Sequence, residues 1–231
     1  MAEQLSGPWR RAVQALNIVR LSVVGWIFLA WSTDLMTRKS PLPIAAPIWT
    51  ALAAAAFAIA FHRWRSIPVA SGGRPGAAVA SIAAWCGLAA ALAVVAADAV
   101  YLYGAREARG AMASLELGAT IVAVAARIIQ GLAFVFSCRA VALHLDRGDI
   151  ARRALRIVVV SGAVVLIAVA YGVGVFGRGT ARVAADDASG VEAGLVVGGL
   201  LAFYAGVMFL MLVSGLMEAI RERPSEAAAF D

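Results

Sequence analysis

Arg127 lies near the middle of an apolar run, Leu117 to Leu145, and Gln130 follows it about one helical turn later. A charged side chain that deep in a membrane helix costs several kcal/mol, so it normally turns to the bundle interior, to water or to a charge partner. Its neighbours Val124, Ala126 and Ile128 offer no partner. Two acids come into question. Glu116 lies eleven residues earlier on nearly the same face, about 16 Å up the axis at 1.5 Å per residue, and cannot pair directly. Asp98, in the preceding apolar run, comes within marginal reach if the two helices are offset by about one turn. Arg127, Gln130 and Asp98 are therefore the expected polar intramembrane site, read either as a buried structural network or as the lining of a polar path.

His62 and His144 each end an apolar run. Two imidazoles at similar depth on different helices are what bis-histidine ligation of a b-type haem requires, so these two are candidate haem ligands. Both sit beside arginines at helix ends rather than in the apolar interior, and the stronger expectation is interfacial histidines without haem. No carboxylate accompanies them, which leaves a metal shell short. No metal or other cofactor is expected. Gly172-x-Gly174-x-x-Gly177 has the letters of a dinucleotide fingerprint but follows an apolar run instead of a strand.

The stretch Asp146-Arg147-Gly148-Asp149-Ile150-Ala151-Arg152-Arg153 resembles the acidic signature of the CDP-alcohol phosphotransferases, but the order is Gly-Asp where that family has Asp-Gly. The run after it, Leu155 to Phe176, holds no acid. The metal carboxylates of that chemistry are absent. Lys39 is the single lysine and lies outside every apolar run, which excludes a retinal Schiff base. With no aligned nucleophile or carboxylate pair, the chain does not read as an enzyme.

The last apolar run carries Gly190, Gly194, Gly198, Ala202 and Gly206, one small residue every four. In lipid, close backbone approach drives helix association, so this face is expected to pack against a neighbouring helix, within one bundle or against a second copy or partner subunit. Asp34, Asp98, Glu116 and Glu192 fall near the outer helix ends, where charge is tolerated.

The elements that hold these residues follow from composition. Of 231 residues, 62% are hydrophobic and 15% charged; soluble domains run nearer 45–50% and about 25%. Mean hydropathy is +0.85. A soluble fold of this size cannot bury that much apolar surface. The expectation is an all-α, polytopic transmembrane bundle in one integral membrane domain, 1–231. Six spans are read at about 13–34, 44–62, 77–103, 115–143, 155–176 and 194–217, from the need for about 20 mostly apolar residues each. The first is the weakest, because Gln14, Asn17 and Arg20 form a polar stripe on it. Pro41, Pro43 and Pro47 mark the first loop, and Ser71-Gly72-Gly73-Arg74-Pro75-Gly76 reads as a flexible connector.

Short loops make sequential helices neighbours. Cys86 and Cys138 read as buried small hydrophobes. Arg10, Arg11, Arg63, Arg65, Arg74, Arg139, Arg147, Arg152, Arg153, Arg156, Arg221 and Arg223 fall on one side, twelve in all, against six on the other (Arg38, Lys39, Arg106, Arg109, Arg178 and Arg182). That split predicts both termini in the cytoplasm. Trp31, Trp49, Tyr101, Tyr103 and Tyr171 fall near outer ends, and Trp9 and Trp64 near inner ends, as interfacial aromatics would. The alanine- and arginine-rich usage suggests a bacterial inner membrane. The net charge of +6 sits in loops between apolar runs, so the partner is the lipid bilayer and not nucleic acid. Three functions remain, in this order: an accessory or scaffold subunit assembling through the sixth helix, a permease or channel with a polar path near Arg127, and a b-haem membrane protein ligated by His62 and His144.

Overall fold

In the computed structural model the described residues are 7–37, 45–103, 109–177 and 188–222, with side chains described for 7–25, 47–100, 112–166, 200–201 and 203–222. They form six α-helices: α1 Gly7–Thr37, α2 Ala45–Trp64, α3 Arg74–Tyr103, α4 Arg109–His144, α5 Gly148–Gly177 and α6 Ala188–Glu222. A single 3-10 turn, Val69–Ser71, joins α2 to α3. There is no strand among the described residues. Among the described residues, three helices are long and apolar enough to cross a membrane, over Arg74–Val100, Met112–His144 and Phe203–Glu222. The described side chains of α1 include Arg10, Arg11 and Arg20, those of α5 open with Asp149, Arg152, Arg153 and Arg156, and α2 ends on His62 and Arg63.

Each helix packs on the next in the chain, and α1 packs on α6, so the six close into a ring; α4 also reaches across to α6. Among the described side chains, every helix exposes apolar residues. Leu21, Leu52, Ile82, Ile121, Val159 and Phe203, one from each helix in order, are all exposed.

The tight core lies at the end of the ring that holds the start of α1 and the finish of α6. Leu16, Phe61, Trp64, Ile67, Phe134, Ile150, Leu212 and Ile220 are fully buried there. Phe134 is its hub, with ring centroids 4.8 Å from Phe61, 5.7 Å from Trp64 and 5.8 Å from Phe209. Aromatic pairs at such distances add to the stabilisation from burial alone. Trp9 and Trp64 belong to this core, at 4% and 0% exposure. They pack the bundle instead of anchoring an interface, which corrects the sequence expectation. Cys138 is buried as expected, but Cys86 is exposed on the outer face of α3.

The segment read as a flexible connector is pinned. The Trp64 indole Nε1 donates to Ser137 Oγ at 2.8 Å, and that hydroxyl donates to the Gly73 carbonyl at 2.7 Å. Ser71 Oγ donates to the Pro68 carbonyl at 2.7 Å. Gly72 takes the left-handed conformation that ends the 3-10 turn, φ 66°. A Cβ on Gly73 would stand 2.8 Å from the Ser137 carbonyl oxygen, and one on Gly76 would stand 2.8 Å from the Ala133 carbonyl oxygen. These two glycines let α3 lie directly against α4. Ala77, Ala80 and Ala84 continue that small-residue seam, all buried.

The turn from α4 to α5 is a Schellman closure: Arg147 N–H bonds the Ala142 carbonyl at 2.8 Å and Asp146 N–H the Leu143 carbonyl at 3.1 Å, with Asp146 at φ 56°. Arg147 then pairs with Glu222 at the end of α6, 3.0 Å away, and more loosely with Asp149 at 3.6 Å.

Candidate functional site

Arg127 is near the midpoint of α4, about 27 Å from either end of the helix at 1.5 Å per residue. At this level the packing of the core gives way to space. A cavity of about 360 Å³ sits on the ring axis and takes lining residues from all six helices: Val23 of α1, Phe57 of α2, Gly87 of α3, Arg127 and Gln130 of α4, Ser161 of α5 and Gly206 of α6 among them. Its floor is Phe61, Phe134 and Phe209, the aromatic cap of the core. That volume is in the range of small-molecule sites.

A second cavity, about 510 Å³, adjoins it on the α4–α5 side and shares Arg127, Gly131, Ile157, Ser161 and Phe209 with it. Its other walls include Ile128, Leu132, Val158, Val165 and Leu166. Ile128, Leu132, Val165 and Leu166 are exposed on the outside of the ring, so this space is a cleft between α4 and α5. The two helices are joined at the Arg147 turn. Glycine sustains the gap: a Cβ on Gly131, Gly162 or Gly206 would meet nothing within 4 Å.

Arg127 lines both spaces, and its side chain is exposed to them. Among the described residues it makes no hydrogen bond or ion pair; the ion pairs there are those of Arg147. Gln130 is half-buried on the same cavity wall, as the sequence spacing predicts.

Asp98 does not join them. A Cβ on Gly87 would lie 3.6 Å from Ala126 Cβ, so Gly87 and Ala126 are level on antiparallel helices. Asp98 is eleven residues beyond Gly87, about 16 Å along the axis. Eleven residues back from Arg127 is Glu116, so Asp98 stands level with Glu116 instead. The third polar member of the cavity is Ser161, which the sequence reading passed over. Its signal was present: it is the single hydroxyl between Leu155 and Val165 of an apolar helix, followed directly by Gly162. Polar groups in such helices turn inward.

His62 and His144 are both exposed at the ends of α2 and α4, and neither lines these two cavities. Among the described residues no group of three or more His, Cys, Asp or Glu side chains is placed to hold a metal ion. Of the sixth-helix stripe, the surroundings of Gly190, Gly194, Gly198 and Ala202 lie outside the described side chains; Gly206 faces the central cavity. Asp34 and Glu192 likewise lie outside them. Compared with known protein families, curated proteins and solved structures, the chain matches none.

Proposed function

We propose that the chain is an integral membrane protein of six spans with both termini in the cytoplasm, set in a bacterial inner membrane, and that it is a permease or channel binding a small anionic solute at Arg127. One observation carries the reading: a guanidinium without a partner among the described residues, at mid-helix, facing a cavity to which every helix contributes. Arginine stays charged at any accessible pH and presents a planar fork of donors that matches carboxylate or phosphate. A charge left uncompensated in a low-dielectric interior is costly, and an anion offsets that cost. Gln130 and Ser161 add donors that orient a bound group. The apolar exterior of the ring and the twelve-to-six split of basic residues support the membrane setting and its orientation. The scaffold role through α6 ranks below, because the described member of its stripe, Gly206, borders the cavity.

Cysteine accessibility tests the reading. With Cys86 and Cys138 replaced by Ala, Gln130→Cys and Gly206→Cys are placed singly in the full chain in liposomes. A membrane-impermeant thiol reagent is expected to modify both from at least one side. Complete protection from both sides would show a dry bundle and end the solute-path reading.

A further inference from the structure

The α4–α5 cleft gives the central cavity a side door. We propose that the ligand of Arg127 is a single-chain anionic amphiphile drawn from the bilayer, whose head reaches the guanidinium through this cleft while its apolar chain lies along α4 and α5. The inference rests on the solute-binding reading above and names the class of ligand and its route.

Two features of the cleft select this class. Its walls are aliphatic and aromatic apart from Arg127 and Ser161, so a hydrated inorganic ion would be desolvated against Ile128, Leu132, Val158, Val165 and Leu166 with nothing to replace its water. An alkyl chain gains from the same walls. The sign of charge at the inner end is set by Arg127, which no acid among the described residues neutralises. The head must therefore be an anion, and the fork of the guanidinium suits a carboxylate or a phosphate monoester. The geometry also supplies the opening. Gly131 on α4 and Gly162 on α5 have no atom within 4 Å of where a Cβ would be, so a chain of methylene width can lie where side chains would otherwise meet.

The probe is palmitate carrying a chain-end diazirine, crosslinked to the full chain in nanodiscs of zwitterionic lipid and mapped by mass spectrometry. Crosslinks are expected in 127–135 and 157–166. Arg127→Leu should reduce them about tenfold or more, the scale of a lost charge-assisted hydrogen bond, and Arg127→Lys should restore much of the signal. Gly162→Leu should reduce them by filling the cleft, and the methyl ester of the probe should label weakly. Even labelling of all lipid-facing helices, indifferent to Arg127→Leu, would overturn the inference. So would displacement of the probe by millimolar inorganic phosphate and not by excess palmitate, which assigns the site to a soluble anion. In either failure, aqueous modification of Gln130→Cys leaves the solute cavity standing; protection of Gln130→Cys removes that reading as well.

Discussion

At the scale of single residues, Arg127 separates cost from purpose. It pairs with no acid among the described residues, so no ion pair among them ties it to the fold. Apolar replacement of buried ionic groups is often neutral or stabilising. Arg127→Leu is therefore expected to keep the unfolding temperature of the purified protein or to raise it, while ligand binding is lost. A fall of many degrees would make Arg127 a structural residue. The position was legible in the sequence because a charge in the middle of an apolar run has few places to go. Its pairing was not, since that depends on the relative shift of α3 and α4, and no residue in either run announces it. The shift is set by Gly73 and Gly76 against the Ser137 and Ala133 carbonyls, and it carries Asp98 to the level of Glu116.

At the scale of elements, the helices followed from apolar run length, but their ends did not: α1, α4 and α5 begin at Gly7, Arg109 and Gly148, well before the apolar runs they carry, and α3 takes in Arg74, Pro75 and Gly76 of the expected connector. The tightest seam was not found that way. A regular four-residue stripe pointed to α6, whereas the structure places its closest described backbone contact between α3 and α4, where the small residues recur less regularly. Periodicity reports a face; it does not say which neighbour comes close. Gly76→Ala is expected to destabilise the bundle by about 1–3 kcal/mol, because the added methyl meets a backbone carbonyl that cannot step aside. Gly206→Ala, opening on the cavity, should leave thermal stability unchanged. Equal unfolding temperatures for the two variants would refute the seam.

The α4–α5 turn offers a pH test. The slight burial of the Asp149 carboxyl pushes it up, but the Ile150 backbone N–H and the Arg147 charge outweigh that and hold it below the ordinary aspartate range. A carboxyl depressed on folding adds stability above its unfolded value and loses it as pH falls through the folded one. Wild type should thus show a small advantage over Asp149→Asn at neutral pH that fades below about pH 4. The side chain is exposed, so the effect is small. An advantage that grows on acidification would contradict the assignment.

For the whole molecule, the described core lies at one end of the ring. The described packing is densest at one end, where aromatic and aliphatic side chains gather around Phe134, and the cavity at Arg127 adjoins it. The sequence had assigned that filled end to the cytoplasm from the arginine count, with no knowledge of packing. Orientation and packing are set by different forces, since the first responds to charge next to the membrane and the second to apolar volume. If both hold, the cavity's aromatic floor faces the cytoplasm, and the α4–α5 cleft lies to its side. The α2–α3 and α4–α5 turns, which carry Arg63, Arg65, Arg74, Arg147, Arg152 and Arg153, then lie inside with both termini. Reporter fusions truncated after Lys39, after Gly73 and after Arg147 should read periplasmic, cytoplasmic and cytoplasmic, and a fusion at the C-terminus should read cytoplasmic. Replacing Arg63, Arg65 and Arg74 by uncharged residues should weaken the cytoplasmic signal at Gly73, because those charges hold that turn inside. Equal signals at Lys39 and Gly73 would show that α2 does not cross. The ring could then not stand upright in a bilayer with six spans, and the cavity would need a different relation to the membrane.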